Sequence, residues 1–181
     1  MIKKIILGIV IGLLLLVGGF AVVVAMQPAH YRVTRSGTIA APPEAVFSQI
    51  NDFHKWEAWS PWAKLDPDIK ETFEGPSSGT GAKFSWTGND KVGEGRMTIL
   101  ESEPNKLIKI NLEFIRPFES KCLTIFTFTP KGDQTEVTWT MEGENNFVGK
   151  AFCLFMDMDK MVGGDFEKGL ASMKSTVEAK K

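Results

Sequence analysis

Three spacings of apolar side chains divide the chain. From Ile5 to Met26 there are 22 residues without a charged or amide side chain. At about 1.5 Å of rise per residue, a helix of that length crosses a hydrocarbon core of roughly 30 Å. Between Arg32 and Glu142 apolar and polar residues mostly alternate, the period of strands with one buried face. Beyond Phe147 the apolar positions fall three and four apart, at Val148, Phe152, Phe155, Met158, Val162, Phe166, Leu170, Met173 and Val177. They form one stripe along a helix that runs on to Lys181.

The alternating region divides into strands separated by turn residues. Arg32 to Ile39 predicts a first strand, closed by Ala40-Ala41-Pro42-Pro43; the prolines and Glu44 suit the start of a short helix that turns Val46, Phe47 and Ile50 inward. Further on, Trp56 and Trp59 stand three apart on one helical turn, which Pro61 stops. Strands follow at Ile69 to Phe73, Ala82 to Trp86, Val92 to Leu100 and Leu107 to Ile115, then a hairpin of Ser120 to Thr129 with Thr135 to Glu142. Gly93 and Gly95 read as turn and bulge residues, because no Gly-Lys-Ser/Thr and no third glycine follows to cradle a phosphate.

The class this predicts is α+β: a curved antiparallel sheet of six to seven strands wrapped round a long C-terminal helix, with an N-terminal transmembrane helix before it. A twisted sheet with one apolar face needs a cover, and the C-terminal stripe needs a partner surface. Gly163-Gly164 predicts a bend or fresh start in that helix. Gly149 to Met161 would then be free to shift and admit a ligand while Asp165 to Val177 stays packed.

Length assigns residues 1–30 to the anchor and 31–181 to one domain, 151 residues with a single core. The apolar run exceeds the roughly 7 to 15 residues of a signal-peptide core. Val23 and Ala25, at the small-residue positions before a cut, keep the cleaved reading open. Lys3 and Lys4 against Arg32 and Arg35 favour a cytoplasmic N-terminus slightly, which places the domain of a single-pass protein outside the cytoplasm. The formal net charge is −1; with Lys3 and Lys4 set aside, 19 basic residues face 22 acidic ones. That balance argues against nucleic acid, which wants a basic stripe.

Candidate chemistry is sparse. His30 and His54 are the only histidines and no cluster has ligand spacing, so neither metal nor cofactor is predicted. Cys122 and Cys153 sit among apolar neighbours as small buried hydrophobes, with a disulfide possible outside the cytoplasm. Glu94 with Arg96, and Asn111 with Glu113, share strand faces that would form a polar cluster if turned inward. Met97, Ile99, Ile110, Leu112 and Phe114 on the opposite faces are better interior candidates, so the charged set is expected in solvent. What remains is an inventory of large, adaptable side chains: Trp56, Trp59, Trp62, Phe84, Trp86, Met97, Phe114, Trp139, Met141, Met158 and Met161. Such residues build either a core or the lining of an apolar pocket.

Four motifs occur in order: Trp59-Ser60-Pro61-Trp62; Gly93-Glu94-Gly95-Arg96-Met97-Thr98-Ile99; Thr135-Glu136-Val137-Thr138-Trp139; and Asp165-Phe166-Glu167-Lys168-Gly169-Leu170 with Met173-Lys174. Together they resemble the polyketide cyclase/dehydrase-like branch of the START/SRPBCC helix-grip superfamily, over about residues 33 to 178. The resemblance implies a hydrophobic small molecule held between sheet and C-terminal helix, lipid transfer in some members and cyclisation or dehydration in a few. Several members carry an N-terminal span. The matching motifs are structural, so no catalytic residue is carried over. The expected function is a membrane-tethered, noncatalytic module for a lipid or other apolar ligand, held in the membrane by Ile5 to Met26. One alternative is a cyclase- or dehydratase-type enzyme using Glu94, Arg96 or Glu113. The other is a stress-related or protein-interaction module with an exposed Trp56 to Trp62 surface.

Overall fold

In a computed structural model of the protein, residues 2–179 are described; Met1, Lys180 and Lys181 lie outside the described residues. Helix α1 (Ile2–Met26) is followed by β1 (His30–Ile39), α2 (Pro43–Ile50) and a 3-10 turn (Phe53–Ala58). Then come β2 (Lys70–Glu74), β3 (Lys83–Thr87), β4 (Glu94–Glu103), β5 (Leu107–Arg116), β6 (Ser120–Lys131) and β7 (Gln134–Glu144), and finally α3 (Phe147–Cys153) and α4 (Met158–Glu178). Helix α1 is long and apolar enough to cross a membrane, a test that a signal sequence also passes.

The seven strands form one antiparallel sheet in the order β1-β7-β6-β5-β4-β3-β2. Strands β2 to β7 meander, and β1 returns beside β7, so both ends of the domain meet at one edge. Strand alternation turns Val33, Ile99, Ile108, Ile110, Phe126, Val137 and Trp139 to one face, where they are buried. Helix α4 lies across this face along β1. Leu170 packs over Gly37, where a Cβ would still make only ordinary van der Waals contact with it, the Lys174 ammonium donates to the Thr38 carbonyl at 3.0 Å, and Glu178 accepts from the Ala40 amide at 2.7 Å. Phe166, Leu170, Met173 and Val177 of the predicted stripe are all buried there. This is the α+β helix-grip architecture that the strand pattern and the stripe require of each other.

The predicted interruption of the last helix is in a different place. Gly163 and Gly164 lie inside continuous α4; the chain breaks at residues 154–157 instead. Two caps explain this. The Asn146 side chain accepts from the Gly149 amide to start α3, and Asp157 accepts from the Lys160 amide at 3.1 Å to start α4. Gly163 has a packing role, because a Cβ there would stand 2.1 Å from the Arg35 guanidinium. The break also divides the stripe: Val148, Phe152 and Phe155, expected on the core face, are exposed.

Candidate functional site

The inner face of the sheet has two halves, set by how far α4 reaches. Over β1 residues 35–39 the face is packed solid around Trp139. Its ring stacks on Phe166 with centroids 4.0 Å apart and planes at 7°, and meets Trp59 and Trp62 edge-on at 5.7 and 5.9 Å. Gly169 makes this stack possible, since a Cβ there would lie 2.8 Å from the Trp139 ring. The Trp56 and Trp59 indole N–H groups donate to the Ile50 and Gln49 carbonyls at the end of α2, which locks the tryptophan turn onto that helix. Among the described residues, Trp139 Nε1 is a buried nitrogen with no hydrogen-bond partner.

Beyond the first turn of α4 the cover thins. The strand register places Tyr31, Gly143, Cys122, Leu112, Met97 and Phe84 in one cross-sheet row, with Phe114, Gly95 and Trp86 in the next. Tyr31, Leu112, Phe114, Phe84 and Trp86 point to the inner face but are only half-buried. This row forms the mouth of the grip. Gly95 follows a shift in the β4–β5 register, and its missing side chain lets the Trp86 ring lie across β4, where a Cβ would be 2.5 Å from the ring. Gly143 plays the same part for Tyr31, whose hydroxyl would lie 2.8 Å from a Cβ there.

The candidate lining residues therefore separate into three sets. Trp56, Trp59, Met97, Trp139 and Met141 are buried in the core; Trp62, Phe84, Trp86, Phe114 and Met158 are half-buried; Met161 is exposed on the first turn of α4. Trp56 and Trp59 do not form the exposed surface that a protein-interaction reading requires, because their N–H groups are tied to α2. Tyr31, Leu112 and Cys122 complete the mouth; the sequence marks Leu112 as an interior side chain and Cys122 as a small buried hydrophobe, but none of the three as lining. Alternation within Leu107 to Ile115 carried the signal for Leu112, whereas Tyr31 precedes the predicted start of the first strand.

Electrostatically the mouth is neutral. Burial, and then the neighbouring thiols of Cys122 and Cys153, push the Tyr31 hydroxyl well above the usual phenol range. Burial pushes the Cys122 thiol up to about 11, so both groups stay protonated. Cys122 and Cys153 are free thiols. The carboxylates sit on the other face of the sheet. Glu113 pairs with Lys121 at 2.8 Å and with Arg96, and Glu94 lies 3.6 Å from Arg116. Glu113 departs from the expectation of solvent: its carboxylate is largely covered by these two cations, and Lys121, then Arg96, hold its pKa down to about 2. Among the described residues no group of three His, Cys, Asp or Glu side chains could hold a metal ion. An open groove of about 410 Å³ runs from Phe114 to Arg96 and Lys121, and one of about 310 Å³ lies between Phe47, Asn51 and Pro104; neither is lined by α4.

Comparison with known proteins adds the following. A family model described as polyketide cyclase / dehydrase and lipid transport matches residues 30–178. Among solved structures, protein Mll3558 from Rhizobium loti superposes with a TM-score of 0.56 at 21% identity, covering 82% of this chain and 96% of its own. The Aha1 dimer from Colwellia psychrerythraea gives 0.58 at 16% identity, covering 82% and 96%. DynU16, a protein of the dynemicin biosynthetic locus, gives 0.57 at 14% identity, covering 83% of this chain and 48% of its own. At these identities the likeness is one of fold. No curated protein sequence matches the chain.

Proposed function

The chain belongs to the polyketide cyclase/dehydrase and lipid transport family, and from that premise we propose that it is a membrane-tethered module holding a lipid or other apolar small molecule at the mouth of the grip. One observation carries the reading: Tyr31, Leu112, Phe114, Phe84 and Trp86 face inward yet keep apolar surface open. Leaving such surface in water forgoes about 25 cal/mol per Å², which a bound apolar molecule would recover. The protonated hydroxyl and thiol supply the few uncharged polar contacts typical of such sites.

In this reading residues 1–30 are a single-pass anchor and 31–181 the binding domain, outside the cytoplasm. The hinge that admits the ligand is the segment 154–157 between two separately capped helices. The cyclase or dehydratase alternative has less support, because Glu94, Arg96 and Glu113 lie on the outer face, engaged in ion pairs, and do not converge on the mouth.

The test is to purify the full chain from membranes, extract and identify co-purifying lipids by mass spectrometry, and titrate a fluorescent fatty-acid probe. A stoichiometric apolar ligand, or saturable probe binding, is expected. A chain that carries no ligand and binds no probe overturns the reading.

A further inference from the structure

We propose that the elbow formed by α3 and the start of α4, residues 147–161, is embedded in the surface of the lipid bilayer beside α1, so that the mouth of the grip opens onto lipid. The inference rests on the reading of α1 as a membrane span and extends it to a second element.

Among the described residues after Ala29, exposed large apolar side chains at Leu65, Phe73, Leu100 and Ile115 stand apart from one another in sequence, but six others are concentrated in one place. Phe147, Val148, Phe152, Phe155, Met156 and Met161 all belong to this short elbow, and Phe155 is 79% exposed. A patch of this kind on a soluble surface marks a contact with something apolar. The elbow is also built onto α1. The rings of Phe20 and Phe155 stack with centroids 6.3 Å apart, and the Lys150 ammonium donates to the Ala25 carbonyl at 3.4 Å; just outside the two elements, the Asn145 backbone amide donates to the Ala29 carbonyl at 2.7 Å. Val24 is fully buried, so the last turns of α1 pack against protein while the rest of that helix is bare.

This packing sets a depth. Phe20 stands six residues before Met26, the end of the apolar run, so it lies about 9 Å inside that end at 1.5 Å per residue. Phe155 shares its level, and interfacial helices bury their apolar faces about 5–10 Å into the headgroup and acyl boundary. The charges of the elbow fit the same placement. Asp159 is consumed by Arg35 and Asp157 by capping and pairing Lys160, while Lys150 and Lys160 have stems long enough to reach the headgroups. The β5–β6 turn, at the same end of the sheet as His30 and Glu144, adds Phe118, 69% exposed. Tyr31, Leu112 and Phe114 lie toward that end, so an apolar molecule could pass from bilayer to mouth without crossing water.

The experiment places p-benzoylphenylalanine singly at Phe155, at Leu14 within α1, and at Asp133 in the β6–β7 turn at the far end of the sheet. The full-length chain is reconstituted in phosphatidylcholine vesicles, irradiated, and its adducts are identified by mass spectrometry. Lipid adducts at position 155 as abundant as at position 14, with none above background at position 133, are expected. Lipid adducts at 14 but none at 155 overturn the elbow and leave the anchor standing. A cross-link from 155 to a second copy of the chain also overturns it, in favour of a contact between chains. Absence of lipid adducts at 14 removes the anchor, and the elbow with it.

Discussion

The Arg35 guanidinium grips the Asp159 carboxylate through two bonds of 3.0 and 2.9 Å, and it reaches across α4 where Gly163 leaves room for it. A third bond, from Nε to Glu167 at 2.8 Å, fixes the same guanidinium about two turns after Asp159. These contacts, the first from Asp159 and the second from Glu167, keep Arg35 protonated well beyond its ordinary range. The first half of α4 is held on β1 by an inward-facing arginine, where the second half is held by Phe166, Leu170 and Met173.

The adjacent glycines should therefore respond in opposite ways. Gly163→Ala puts a methyl group into the Arg35 guanidinium and should destabilise by about 1 kcal/mol or more, as overpacking does. Gly164 has open space around it, so Gly164→Ala should stabilise by about 0.5–1 kcal/mol through helix propensity. Thermal unfolding of the two variants decides this; the same sign for both would contradict the clamp.

Arg35→Met should loosen the clamp without opening the core. Hydrogen exchange is expected to speed up over residues 158–165 and to stay slow over 166–177, where burial does the holding. Equal acceleration of both segments would show that α4 docks as one unit.

Two core tryptophans give a contrast in hydrogen bonding. Trp59→Phe leaves the Gln49 carbonyl without its donor and should cost about 1–3 kcal/mol in addition to lost area. Trp139→Phe removes an N–H that has no partner and keeps a ring to stack on Phe166, so its cost should be smaller. Denaturant midpoints of the two variants test the order, and Trp139→Ala, losing the whole stack, should cost about 3–5 kcal/mol.

The outer-face triad makes stability depend on pH. With its pKa held down to about 2 by Lys121 and Arg96, Glu113 binds protons less readily folded than unfolded, so its contribution is complete above the ordinary glutamate value. It is lost as pH falls from about 4.3 toward 2. Glu113→Gln should therefore be less stable than the parent at pH 7, with the difference shrinking across that interval. A constant difference in unfolding temperature from pH 7 to 3 would refute the assignment.

Leu112 sits mid-row at the mouth, away from the solid packing around Trp139. Leu112→Trp fills the space a ligand would take. Affinity for the fatty-acid probe should fall at least about tenfold, equivalent to about 1.4 kcal/mol, while the unfolding temperature changes little. Unchanged affinity would move the site elsewhere on the molecule.

Period and punctuation made most of the architecture legible. Alternation within Leu107 to Ile115 put Ile108 and Ile110 on the inner face, and Pro42-Pro43 opened α2, because strand pleat, helical turn and proline geometry are local. The stripe from Phe166 to Val177 required a sheet to cover it for the same reason. The helix break was misplaced because a glycine pair can signal either flexibility or close approach, and only the position of Arg35 across Gly163 decides between them. Similarly, Phe152 and Phe155 continue the apolar spacing, but the helix ends at Cys153 and Asp157 caps a fresh one, so the two rings are left exposed.

The sequence by itself thus determined the strands, the helices and which face of each is apolar, since those follow from covalent geometry and the period of side chains along one segment. Tertiary structure alone decided which of the large apolar residues became core and which became mouth. That outcome depends on where the end of α4 falls over the cross-strand rows, a relation between residues more than a hundred positions apart that no local pattern encodes.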